Sequence, residues 1–287
     1  MRFVSFSLAM MFAFITLGSA SANPSQMLSG AYLGQKVPSN EAEVFGPGVI
    51  SKKLYSYGGT FSPDMQSFYF LRQPAEDAKV EFVVMHQQEG QWQESLFDSK
   101  LGQPMFSPDG NLMHLGKRVR TRTPEGWSDA ISVGEAFEDF QIMRMSSSLQ
   151  GTYVFDEAGW PDGDGVIRYS RLIDGVRHPP KAFPKHINTG TFNAHPFIAP
   201  DESYLLWDGK REHGFGGSDI YISFRQEDGT WGKAINMGKD INTNGWDAAA
   251  SVTPDGKYLF FHRLNEHGNA NMYWVSAQVI ETLRTVK

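Results

Sequence analysis

Apolar runs and turn residues alternate along this chain with a long period. An apolar run, a Pro-Asp turn and a second apolar run recur as "FSPDMQSFYF" (residues 61–70), "FSPDGNLMHL" (106–115), "IAPDESYLLW" (198–207) and "VTPDGKYLFF" (252–261). A weaker copy, "MSSSLQGTYVF" (145–155), keeps the glycine and the aromatic and lacks the Pro-Asp. Proline presets φ for the first corner of a turn, aspartate accepts hydrogen bonds from turn N–H groups, and glycine takes positive φ. Each copy therefore predicts two strands joined by a tight turn, the second apolar on both faces like a strand buried between stacked sheets.

A second pattern follows each copy. "VEFVVMHQQEGQW" (80–92) and "DIYISFRQEDGTW" (219–231) read as strand, acidic-Gly turn and a strand often opened by Trp, with weaker versions at 118–127 and 166–176. The last unit carries "NMYWVSAQVIETL" (271–283) as its counterpart of this element, with no fourth strand expected after it. Five units of about 45 residues, each a four-stranded antiparallel sheet, are the signature of a β-propeller. The fold class expected is all-β, a five-bladed propeller, with six blades as the alternative. "EVFGPGVIS" (43–51) is a spare strand before the first unit. It is expected to pair into the last blade and close the ring, which removes sheet edges.

The Ser-Pro-Asp-Gly element resembles the WD40-like β-propeller repeats of the TolB type. It is matched by Ser62-Pro63-Asp64, Ser107-Pro108-Asp109-Gly110 and Thr253-Pro254-Asp255-Gly256, while Glu202 replaces the glycine after Ala199-Pro200-Asp201. The similarity runs over residues 43–280. It implies the propeller fold and an exported bacterial protein. It implies no one function, since that family mixes peptide- and protein-binding propellers with domains fused to peptidases.

The first residues point the same way. Arg2, an apolar run over residues 3–17 and Ala20-Ser21-Ala22 form the three regions of a secretory signal, expected to be cleaved after Ala22. The chain then divides into an N-terminal extension (23–42), one propeller domain (43–283) and a tail (284–287), in a periplasmic or secreted protein. It has no cysteine, so its core must hold it without disulfides. Without Arg2 the net charge of −6 becomes −7, with no cationic cluster apparent, which speaks against nucleic acid and anionic membranes. No membrane insertion is expected, and the protein is read as a monomer.

Candidate chemistry has to survive comparison between units. "NAHPFIAPDESYLLWDGKREHGFGGSD" (193–219) looks like an active site, but units four and five align at an offset of 54 residues. Under it Glu212-His213-Gly214 falls on Glu266-His267-Gly268, so His213 reads as a repeated loop residue. Not shared are His195 (on Ala249), Asp208 (on His262), His186 (on Asp240) and Asn193 (on Asp247). The connections between blades run to the rim of the central channel. The rim candidates for ligand binding are therefore Tyr57, Glu138, Asp139, His186, Asn193, His195, Asp208, Trp246 and Asp247.

No catalytic residue, metal site or cofactor is assigned. The inner strands carry no acid, and a glycosidase needs two carboxylates across one pocket. No Gly-x-Ser-x-Gly elbow is present. "WPDGDG" (160–165) reads as a hairpin loop, because an EF-hand frame would put Trp160 and Arg171 at obligatory carboxylate positions. The function expected is a non-catalytic exported module binding a protein segment, peptide or glycan at the channel rim. The alternative is a carbohydrate-active hydrolase or lyase using the rim acids and histidines.

Overall fold

The computed structural model describes residues 29–52, 55–158 and 165–285. The segment expected to be a secretory signal, Lys53 and most of the WPDGDG stretch lie outside the described residues. No helix among the described residues is long and apolar enough to cross a membrane.

Five antiparallel sheets follow one another along the chain. Blade one is Tyr55–Phe61, Ser67–Gln73, Glu81–Gln88 and Gln91–Ser99. Blade two is Pro104–Phe106, Leu112–Leu115, Arg118–Thr123 and Ile131–Ser132, with Gly126–Trp127 folded back on its third strand. Blade three is Met145–Ser147, Tyr153–Glu157, Val166–Ser170 and Lys181–Ala182, plus a small hairpin of Leu172–Ile173 and Val176–Arg177. Blade four is Thr191–Ile198, Tyr204–Lys210, Asp219–Phe224 and Ile235–Asn236. Blade five is Trp246–Val252, Tyr258–Leu264 and Ala270–Ser276. The first strands of neighbouring blades touch around a common axis, which makes a five-bladed propeller rather than a six-bladed one.

The ring closes as the spare N-terminal strand suggests. Glu43–Val44 pairs with the third strand of blade five, Glu43 opposite Trp274 and Val44 opposite Tyr273. Phe45 then enters the seam between blades five and one, its ring 4.8 Å from Phe260, 5.0 Å from Phe68 and 5.1 Å from Trp274. Residues before the strand add to the seal. Tyr32 and Leu33 are buried there, and the Tyr32 hydroxyl donates to Asp255.

The repeated motifs have structural work. In the turns the aspartate accepts the N–H two residues on, at 3.0 Å for Gln66 and Ser203 and 3.1 Å for Asn111. Ser62, Ser107 and Thr253 donate their hydroxyls to the same carboxylates at 2.5–2.6 Å. Units four and five share a second device. Asn188 and Asn242 each use the side-chain amide as a surrogate strand, accepting from and donating to Ile167 and Ile220 respectively.

One expectation needs correction. The run over residues 271–283 is not extended throughout, because the strand ends at Ser276 and Gln278–Thr285 is an α-helix. Val279, Ile280 and Leu283 fall on one helical face and pack on the core between blades four and five. That 3.6-residue spacing was present in the sequence but was overshadowed by the preceding strand pattern.

Candidate functional site

Three of the inner strands are bulged at equivalent places. The register shifts after Tyr57, Ala194 and Ala248, and the next residue takes a left-handed backbone: Gly58 (φ 62°), His195 (φ 50°) and Ala249 (φ 56°). Glycine adopts this without cost, whereas a residue with a side chain is strained and persists where its surroundings hold it. At His195 that strain turns an imidazole to the channel mouth.

What holds the bulges is a relay of carboxylates from blade to blade. Asp156, in the second strand of blade three, accepts the His195 N–H at 2.9 Å and those of Met143 and Arg144 at 2.8 and 3.0 Å. Asp208, one blade on, accepts the Ala249 N–H at 2.8 Å and His195 Nδ1 at 3.0 Å. Both carboxylates are fully buried. At the next step the corresponding residue is His262, whose ring lies 6.0 Å from Tyr57 and 6.3 Å from His195. Arg144 reaches across the axis and donates through Nη1 to the Ala250 carbonyl at 3.0 Å, while its Nε and Nη2 have no partner among the described residues.

These charges settle one another. Burial alone would pull the His195 pKa down. Asp208 and then Asp156 outweigh it, so the value rises above 6.5 and favours the imidazolium. His262 goes the other way, pulled to about 3 by burial and then by the positive charges of His195 and Arg144. Burial lowers Arg144 to about 10 against the pull of Asp208 and Asp156, which leaves it charged at neutral pH. Burial raises Asp156, opposed by His195 and the three backbone donors.

Above this layer opens a cavity of roughly 620 Å³. Blade one gives it Tyr55 and Tyr57, blade four Phe192, Asn193 and His195, and blade five Trp246 and His262. The connections into blades two and three add Lys100, Gln103 and Met143. The aromatic rings meet edge to face, Tyr55 with Tyr57 at 5.2 Å and Phe192 with Trp246 at 5.7 Å. Gln103 Oε1, Asn193 Oδ1 and His262 Nδ1 are buried without a hydrogen-bond partner among the described residues. No Asp or Glu stands among the described residues of its wall.

Four of the nine rim candidates, Tyr57, Asn193, His195 and Trp246, thus line one cavity, with Asp208 directly behind His195. Asp247 lies within the inner strand of blade five, against the expectation that the inner strands carry no acid, but it faces away into an ion pair with Arg263 at 2.6 Å and hydrogen bonds from Thr243. Glu138 and Asp139 are exposed, Glu138 beside Ser132 and Lys117. His186 is exposed in a different groove and bonds to the Trp231 carbonyl at 3.0 Å. Among the described residues no group of three or more His, Asp or Glu suits a metal ion.

Sequence reasoning missed Tyr55, Gln103, Arg144, Asp156, Phe192 and His262. His262 was within reach as the residue that the 54-residue offset sets on Asp208. Asp156 was hidden because its unit lacks the Pro-Asp that anchors the alignment.

No protein-family model matches the chain, and no curated protein matches its sequence. Solved structures share its fold. The catalytic domain of the GH62 α-L-arabinofuranosidase of Coprinopsis cinerea superposes with a TM-score of 0.53 at 10% identity, over 83% of this chain and 97% of that one. The endo-arabinase of Bacteroides thetaiotaomicron gives 0.50 at 12% identity, over 84% and 96%. TolB of Acinetobacter baumannii gives 0.45 at 12% identity over 76% of this chain, which spans 54% of TolB's length. At these identities the likeness concerns the propeller fold alone.

Proposed function

We propose that this protein is an exported, non-catalytic binding propeller that takes its ligand, a glycan or a peptide segment, into the channel-mouth cavity. One observation carries the reading. The cavity combines flat aromatic walls with buried polar atoms that have no partner among the described residues, and the described carboxylates nearest to it, Asp156 and Asp208, are turned inward. Asp156 and Asp208 spend their oxygens on backbone N–H groups and on His195. Glycoside hydrolysis requires two carboxylates flanking the bond to be cut, and the described wall offers none. Concave sites with aromatic walls and a few convergent polar groups are the usual form of ligand sites, which supports the reading. Export rests on the N-terminal signal pattern and on the resemblance to TolB-type repeats.

Titration against a panel of oligosaccharides and short peptides, read by tryptophan fluorescence, tests this. Trp246→Ala and Tyr57→Ala are each expected to weaken the tightest binder about tenfold or more. If both variants bind like the unaltered protein, the ligand is not in this cavity. Release of reducing ends from any glycan in the panel would replace the reading with the enzymatic one.

A further inference from the structure

Away from the channel, the charge of the chain is unevenly distributed, which corrects the expectation that it carries no cationic cluster. Residues 166–186, the outer half of blade three, hold five Arg or Lys and the single acid Asp174. That is +4 within a chain of −6, so everything else sums to −10. We infer that the outer edge of blade three is a docking surface for an acidic, leucine-type segment of a partner protein.

Three features place that segment. Arg171, Lys181 and Lys185 are exposed, and none has a carboxylate partner among the described residues. Lys181 sits opposite Tyr169 in the sheet and the Arg171 guanidinium lies 5.4 Å from the Tyr169 ring, so these two cations border one strip, with Lys185 exposed in the connection that follows. Beside the strip runs a groove of roughly 370 Å³ floored by Tyr169, Phe183 and Trp231 and flanked by Arg171 and His186. Phe183 and Trp231 meet edge to face at 5.7 Å, and His186 is tied to the Trp231 carbonyl, so the floor is preformed. The one carboxylate among the described residues of its wall, Glu202, is occupied by Arg225 and by Ser148 Oγ. The adjacent hairpin leaves Leu172, Ile173 and Val176 between 42 and 62% exposed, which adds an apolar lip to the cationic strip.

The mode of contact follows from the edge itself. The outer strand Lys181–Ala182 is two residues long and preceded by Pro179-Pro180, which offer no N–H. Such an edge is blunted against strand addition. Recognition therefore runs through side chains, with carboxylates on the cations and an apolar side chain in the groove. Charge complementarity of this kind steers association and sets specificity.

The test is fluorescence anisotropy of the full chain with a labelled synthetic peptide of Glu-Glu-Leu repeats. The expected result is saturable binding that weakens steeply with salt. Affinity should drop about tenfold or more in the triple variant R171E/K181E/K185E and in Trp231→Ala, and be unchanged in Trp246→Ala. All substituted cations are exposed, and an unaltered melting temperature shows that the triple variant folds. No binding, equal binding of a Lys-Lys-Leu peptide, or full affinity in the triple variant would overturn the proposal. Capture of phosphatidylglycerol vesicles in place of the peptide, or self-association of the chain, would overturn it as well. None of these outcomes bears on the channel site, which Trp246→Ala reports independently.

Discussion

Replacing Asp208 by Asn isolates the electrostatics beneath the cavity. The side chain keeps its shape and one oxygen for the Ala249 N–H, which now lies 2.8 Å away. What disappears is the negative charge that faces His195 Nδ1 at 3.0 Å and balances the fully buried Arg144. Removing one partner of a buried charge pair costs roughly 3–5 kcal/mol. The surviving hydrogen bond puts Asp208→Asn at the lower end, about 3 kcal/mol. For a domain of this size that is a fall in Tm of about 6–12 °C. The dependence on pH has a fixed sign. In the unaltered protein the folded-state pKa of His195 is raised above 6.5, so its contribution to stability is complete below 6.5 and lost as pH rises through the folded value. Without Asp208, burial dominates, the folded pKa drops, and His195 opposes folding on acidification. The gap between the two proteins therefore widens below pH 6.5 and narrows above it. Thermal melts across pH, with His195 followed by NMR, measure both quantities. A Tm within a degree or so at every pH, or a His195 resonance that titrates unchanged, would refute the reasoning.

Other expectations follow from the seam and the bulges. Phe45→Ala empties the centre of the closing aromatic cluster and should cost about 3–5 kcal/mol, read by chemical denaturation. A chain beginning at Tyr55 loses the whole closure, and is expected to unfold at much lower temperature or to associate through its open edge, as sedimentation would show. Tyr32→Phe removes only the hydroxyl that donates to Asp255 and should cost about 1 kcal/mol. Gly102→Ala would set a methyl 2.4 Å from the Leu115 carbonyl carbon, so the connection into blade two must shift, at about 1–3 kcal/mol in the same assay.

The blades were legible because each is nucleated by a local turn that writes itself into the sequence. The Pro-Asp turns depend on hydrogen bonds between residues two apart, and such local chemistry shows in a linear pattern. The Ile-Asn-Thr copies and the spare strand showed instead as a repeat and as a surplus unit, since their bonds reach distant residues. The site was half legible. His195 and Asn193 stood out as departures from the repeat, and they line the cavity. Asp247 stood out equally and does not line it, because its ion pair with Arg263 across adjacent strands is a matter of register rather than spacing. Glu138, Asp139 and His186 lie on the same connections as the true lining residues, but at their outer ends. Arg144 was unreadable, since a lone arginine in a degenerate unit gives no sign that it crosses the axis to another blade.

The central claim is that the channel mouth is where this protein meets its ligand. The most direct measurement is NMR mapping of the intact protein against the tightest binder from the glycan and peptide panel. Binding at this site shifts the Trp246 indole and the His195 and His262 ring signals together, with no chemical change in the bound molecule. Shifts confined to other residues, or conversion of the molecule to product, would contradict it.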